Sequence, residues 1–132
     1  PNLNLLGLKS SKKKGRLTLD RLNKQIRSFS KDSGINIKTL QTHKQFQAIN
    51  FLQRNRNWAN GILFIPTSWA RNSYTILETI NLIQLKTSVV YFDSDFSFGT
   101  SIEESIFFHE KIDSFTGSPI EACIQGMEFL VK

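Results

Sequence analysis

Four groups of residues in this sequence have types and spacings that could do chemistry. The densest is the run Lys12, Lys13, Lys14 in "LKSSKKKGR", with Lys9 and Arg16 beside it. Cations so crowded can hold phosphates, but no aromatic residue interleaves with them as single-strand binders require. The run therefore reads first as a solvated loop. A second group, "NFLQRNRNWAN", sets Arg54 and Arg56 among Phe51 and Trp58. Stacking on nucleic acid is one use for such a set, yet two aromatics at a helix end are explained more simply as core or interface residues. A third group is Asp93 and Asp95, which could hold a cation with Glu103 and Glu104. No glycine-anchored ligand loop surrounds them, so an exposed acidic loop is the simpler reading. The last is Cys123, on one helical stripe with Ile120, Ile124 and Met127, where a thiol packs as a small hydrophobe. His43 and His109 have no second ligand at metal spacing. The sequence calls for no metal and no cofactor.

The elements that must position these residues alternate. Helical spacing marks four segments. In "TLDRLNKQIRSFSKDSG", Leu19, Leu22, Ile26 and Phe29 form a stripe, with Thr18 as cap and Gly34 as stop. "KQFQAINFLQRNRNW" aligns Phe46, Ile49 and Leu52, and "YTILETINLIQL" aligns Ile76, Ile80 and Ile83 with Leu77 beside them. In "SPIEACIQGMEFLV", Ser118 is the expected N-cap, Pro119 the first helical residue and Glu121 the partner in an S-x-x-E capping box. Short β-branched and aromatic runs lie between them: "INIKTL" at 35–40, "GILFIP" at 61–66, "SVVYFD" at 88–93 and, more weakly, "KIDSF" at 111–115. Such alternation predicts an α/β fold with a parallel sheet covered on both faces. Ligands in such folds bind outside the carboxyl ends of the strands. That rule selects the loop after "PNLNLLG", the loop "PTSWARNS" and the loop "DSDFSFGT".

The bulk properties narrow the class. A chain of 132 residues suits one domain, residues 1–132, with a single core. No apolar stretch approaches a membrane span, the N-terminus lacks the regions of a signal peptide, and one cysteine cannot make an internal disulfide. A reducing compartment follows, cytoplasm or an organellar matrix or stroma. Charge is lopsided: residues 1–71 hold 14 Lys and Arg against 2 Asp and Glu, whereas residues 72–132 hold 3 against 9. Such halves suit a solvated surface, a polyanion partner, or copies that mate basic face to acidic face.

The three selected loops, in that order, resemble the type II 3-dehydroquinate dehydratases. "PNLNLLG" matches the opening motif of that family residue for residue, "GILFIPTSWARNSYTILETI" is similar to its strand, Asn-Pro-Gly loop and helix, and "SVVYFDSD" is similar to its Val-Glu-Val-His-Leu-Ser-Asn strand end. The resemblance implies a flavodoxin-like three-layer sandwich around a central parallel sheet, assembled as a trimer or dodecamer, or as a subunit of a larger assembly. The expected ligand is a small anion; the residues themselves call for no cofactor and no membrane and make nucleic acid the less favoured partner. In the family a strand precedes the opening motif, so with Pro1 first the central strand is expected to be missing or truncated.

The same resemblance assigns roles. The family removes a proton beside a ketone and expels a hydroxyl through an enolate, which needs a base, an oxyanion partner and an acid within hydrogen-bond reach. Asn2 matches the family's opening asparagine. Lys9 stands where a lid arginine is expected and Lys14 where the tyrosine base is expected; like charges at Lys12 and Lys13 depress a lysine pKa, so Lys14 could serve as base. The remaining positions depart from the pattern. Ile65 stands at an asparagine that holds water, Thr67 at a glycine whose amide faces substrate, and Arg71 at a pocket histidine. Asp93 stands at the acid histidine, Tyr91 at its glutamate partner, and Asp95 at a serine that grips the substrate carboxylate. No arginine follows Arg71 to contact the substrate ring. The expectation is a family member without dehydratase activity, serving as a structural or interaction subunit. The alternatives are an active dehydratase built on Asn2, Lys9 and Lys14, and a nucleic-acid-binding module.

Overall fold

A computed structural model describes Leu3, residues 18–93 and residues 101–132. Asn2, Lys9, Lys14 and Asp95, with the lysine run, Phe96 and Phe98, lie outside the described residues.

The first helix, α1 (Leu19–Asp32), starts where Thr18 accepts a hydrogen bond from the Arg21 amide at 3.3 Å. It ends before Gly34, whose φ of +70° is open to glycine without strain. Its stripe buries Leu22 completely. Helix α2 (Gln45–Asn55) and strand β1 (Gly61–Phe64) follow, then a 3₁₀ turn (Thr67–Arg71), helix α3 (Tyr74–Ile83), strand β2 (Lys86–Phe92), a second 3₁₀ turn (Ile102–Glu104), strand β3 (Ile112–Gly117) and helix α4 (Pro119–Leu130).

The strands form one parallel sheet in the order β1-β2-β3, with Gly61 opposite Lys86 and Thr87 opposite Ile112. Period-two alternation divides the core. Val90 and Phe92 join Leu22, Ala122 and Cys123 on the α1/α4 face, with Leu63, Ile65 and Phe115 packed against them. Val89 and Tyr91 join Ala70, Ile76, Ile80, Phe107 and Ile112 on the α2/α3 face. The expected α/β class, with helices on both faces of a parallel sheet, is what the chain adopts.

Three local expectations need correction. Residues 35–40 form no strand. The Ile35 amide donates to the Ser30 carbonyl at 2.8 Å, closing the helix end, and no ladder partner for "INIKTL" exists among the described residues. Phe46, expected on the apolar stripe of α2, is 59% exposed; of that stripe Ile49 and Leu52 reach the core, joined by Ala48. Ser118 is the N-cap of α4 and Pro119 its first residue, but the Ser118 side chain makes no capping bond. The S-x-x-E box is closed instead at Ser101 and Glu104. Among the described residues no helix is long and apolar enough to cross a membrane.

Close approach of α4 to β2 requires Gly126. A Cβ there would lie 2.9 Å from Leu63 Cδ1 and 3.2 Å from Ser88 Cβ, and the Ser88 hydroxyl donates to the Gly126 carbonyl at 2.9 Å. A buried hydroxyl in the middle of the sheet is thereby satisfied.

Candidate functional site at the carboxyl ends of β1 and β2

Strand β1 leaves the sheet through Ile65 and the buried Pro66 into the 3₁₀ turn at Thr67. Thr67 is buried and has φ +48°, a left-handed conformation that a β-branched residue adopts only when its surroundings enforce it. The turn carries Trp69, half-buried against the α2/α3 cluster, and then Arg71, more than half exposed.

Facing this turn is a strap, residues 101–108. Four contacts fix it. The Ile106 amide donates to the Ala70 carbonyl at 2.8 Å. Arg71 Nη2 lies 3.1 Å from Glu104 Oε2, while the other carboxylate oxygen of Glu104 accepts from the Ser101 amide at 3.4 Å and the Ser101 hydroxyl at 3.2 Å. The Tyr91 phenol bonds the Ser105 hydroxyl at 2.5 Å, and that oxygen also accepts from the Phe107 amide at 3.0 Å. Phe107 itself is fully buried, edge-on to Phe64 with ring centroids 5.4 Å apart.

Tyr91 sits in the buried part of β2. Burial raises its pKa above the ordinary 10.0, and hydrogen bonds with Ser105 and Ser114 pull in the other direction. It is a neutral hydrogen-bonding group at physiological pH. Two residues further on, Asp93 is exposed, and its amide donates to the Gly117 carbonyl at 3.0 Å.

Of the positions assigned by resemblance, the structure links Arg71 and Tyr91 through the strap. Ile65 is not part of that group: it packs on the opposite face of the sheet with Leu22, Val90 and Phe92. An isoleucine committed to the core offers no polar atom to hold water. Cys123 is fully buried in the same cluster, and burial pushes its thiol up to about 12, so it packs and does not attack. The sequence reading missed Ser101 and Ser105 as members of this site and weighed Glu104 only as a cation ligand. One signal was present, since "SIEE" at 101–104 repeats the S-x-x-E pattern read at Ser118.

Trp58 is about half exposed, with Lys38 Nζ 4.4 Å over its ring, so its face is already used within the chain. A groove of about 460 Å³ lined by Gln53, Arg56, Asn57, Thr79, Leu82 and Ile83 opens between the ends of α2 and α3. It lies where α3 finishes and β2 begins, at the amino ends of the strands, away from the loops that bind ligands in this class of fold.

Comparison with known proteins gives one direction. The family model "Dehydroquinase class II" matches residues 1–96. A 3-dehydroquinate dehydratase of Pelotomaculum thermopropionicum is 26% identical over 97 residues, 74% of this chain and 67% of that protein. One from Dictyoglomus turgidum is 31% identical over 80 residues, 61% of this chain and 55% of that protein. The 3-dehydroquinate dehydratase 2 of Pseudomonas aeruginosa is 26% identical over 91 residues, 69% and 62% respectively. The match thus spans between 55% and 67% of the length of these curated relatives. Among solved structures, a type II dehydroquinase from Butyrivibrio crossotus superposes with a TM-score of 0.78 at 18% identity, covering 100% of this chain and 92% of that one. Another, from Propionibacterium acnes, gives 0.74 at 13% identity, covering 98% and 90%.

Proposed function

Because the chain belongs to the class II dehydroquinase family, we propose that it keeps the family's α/β shell without dehydratase activity and acts as a structural or interaction subunit. The observation that carries this reading is the packing of the partly buried Ile65 against the α1/α4 core cluster, at a position where the resemblance asks for an asparagine that holds water. Tyr91 adds to it. Its phenol is committed to Ser105, on the face of the sheet opposite Ile65. Asp93 offers an anion where an acid is needed to protonate a leaving group beside a carboxylate substrate, and like charge there opposes binding.

On this reading the chain assembles with copies of itself, as a trimer or dodecamer, or joins a larger assembly, and it resides in a reducing compartment. The opposite net charges of the two halves of the sequence support assembly between copies.

The deciding experiment follows the ultraviolet absorbance of 3-dehydroshikimate formed from 3-dehydroquinate by the purified chain, with native mass measured on the same sample. A folded, assembled protein without turnover is expected. Turnover that disappears in Lys14→Ala would overturn the proposal and make lysine the base.

A further inference from the structure

The simplest account of the aromatics in "NFLQRNRNWAN" makes them core or interface residues, and Trp58 is not in the core: it is 47% exposed. Lys38 lies 4.4 Å over its ring and also donates to Asn55 Oδ1 at 3.2 Å, which gathers an exposed cation, an amide and the indole at the carboxyl end of α2. An indole has two faces, and a cation over one leaves the other for a flat group to stack on. Along the same helix Ile49 and Leu52 turn to the core, which sends Asn50, Gln53 and Arg54 outward. Beside them Gln53, Arg56 and Asn57 line the groove of about 460 Å³ shared with α3, a volume in the range that admits small-molecule-sized groups.

The charge of this band is uncompensated. From residue 33 to residue 77 the sequence holds Lys38, Lys44, Arg54, Arg56 and Arg71 and not one Asp or Glu. Arg71 is paired with Glu104, but among the described residues the other four make no ion pair. Helix α2 carries no carboxylate at all and α3 carries Glu78 alone. Cations gathered without counter-charges give a positive surface suited to a polyanion. The groups among them decide which one. Unstacked bases stack on an exposed ring and offer their edges to carboxamides, whereas a duplex hides its bases and an acidic peptide makes no use of the indole face.

We propose that the carboxyl end of α2, with Lys38, Arg54, Arg56 and Trp58, is a binding surface for single-stranded nucleic acid. One base stacks on the open face of Trp58, phosphates on either side of it lie against Lys38, Arg54 and Arg56, and the strand continues into the groove, where the carboxamides of Gln53 and Asn57 meet a base edge. The surface is at the amino ends of the strands, away from the loops after β1 and β2. It therefore gives the chain a partner as an interaction subunit, and it is read by binding alone, so its failure is distinguishable from the outcome of the turnover assay.

The test titrates the full chain with fluorescein-labelled oligo(dT) and oligo(rU) of about 12 nucleotides, a length within single-strand site sizes, and reads anisotropy and tryptophan fluorescence. Three phosphate contacts predict that raising salt from 50 to 200 mM weakens binding about 20-fold, a log–log slope of about −2. Arg54→Gln with Arg56→Gln should bring that slope to about −1. Trp58→Ala should weaken binding about tenfold without changing the slope, and Trp58→Phe should restore most of it. The chain has two tryptophans, Trp58 and Trp69, so the quenching that accompanies binding should vanish in Trp58→Phe while Trp69 emission stays as reference. All three altered residues are exposed, and unchanged far-ultraviolet circular dichroism verifies that each variant folds. A preference for oligo(rU) or for oligo(dT) supports the proposal and identifies the strand as RNA or DNA. No saturable binding at 50 mM salt, binding indifferent to Trp58→Ala, or binding lost on changing Lys12, Lys13 and Lys14 to Gln but not on changing Arg54 and Arg56 would each overturn it. Equal or tighter binding of poly-glutamate or of duplex DNA would also overturn it, by assigning the surface to an acidic polypeptide or to backbone charge alone.

Discussion

Replacing Phe107 by alanine should destabilise the chain by about 3–5 kcal/mol, the cost of removing a fully buried ring and leaving a cavity that its neighbours only partly fill. The structure places this cost high in the range. Phe107 is 0% exposed, sits in one cluster with Ala70, Ile76, Ile80, Val89, Tyr91 and Ile112, and meets Phe64 edge-on at an interplanar angle of 74°. The aromatic pairing alone contributes about 0.5–1.5 kcal/mol beyond area burial, so Phe107→Leu, which keeps much of the volume, should cost about 1–2 kcal/mol. With a urea m-value of about 2 kcal/mol/M for a domain this size, Phe107→Ala should lower the unfolding midpoint by about 1.5–2.5 M. The next residue is the internal control: Phe108 is 58% exposed, and Phe108→Ala should change stability by no more than about 0.5 kcal/mol. Chemical denaturation followed by far-ultraviolet circular dichroism measures all three variants. A cost below about 1 kcal/mol for Phe107→Ala, or equal costs at 107 and 108, would refute the packing of the strap described above.

Other perturbations probe other contacts. Gly126→Ala gains about 1 kcal/mol of helix propensity but drives a methyl against Leu63 and Ser88, at about 1–3 kcal/mol, so thermal unfolding should show a net loss of up to about 2 kcal/mol. Tyr91→Phe removes the partly buried bond to Ser105 and should cost about 1 kcal/mol, with faster hydrogen exchange at the Phe107 amide; unchanged exchange would disprove the link. Cys123 has its thiol raised from 9.0 to about 12 in the folded chain, so the folded state holds that proton more tightly than the unfolded chain. Its contribution is complete below pH about 9 and is lost as pH rises toward 12, at up to about 1.4 kcal/mol per pH unit, and Cys123→Ala should flatten that part of the stability profile.

Much of this fold was legible because the signals are local. Thr18 and Gly34 bracket α1 as capping chemistry requires, and the spacing of Ile76 and Ile80 put the right face of α3 inside. The strand β2 starts earlier than its apolar run suggests, at Lys86 instead of Ser88. Hydropathy could not reveal this, because Thr87 and Ser88 are buried polar residues whose hydroxyls are satisfied by the carbonyls of Leu85 and Gly126. "INIKTL" failed for a different reason: β-propensity describes fitness for a pleated surface, and a strand exists only beside a partner. The candidate site was least legible. Tyr91 and Arg71 could be singled out from the order of the loops, but their partners Ser105 and Glu104 arrive from 14 and 33 residues away, respectively. Pairing at such separations is set by tertiary packing, and nothing in the spacing of the sequence encodes it.

The alternation along β2 gives two interiors that, among the described residues, share no side chain, one between the sheet and α1/α4 and one between the sheet and α2/α3. Changes on opposite faces touch different neighbours and so combine nearly additively. A lineage carrying this chain could therefore rework the face that bears the strap, residue by residue, without renegotiating the other. The α1/α4 interior serves as a keel: it holds the shape of the fold whatever changes the opposite face accepts.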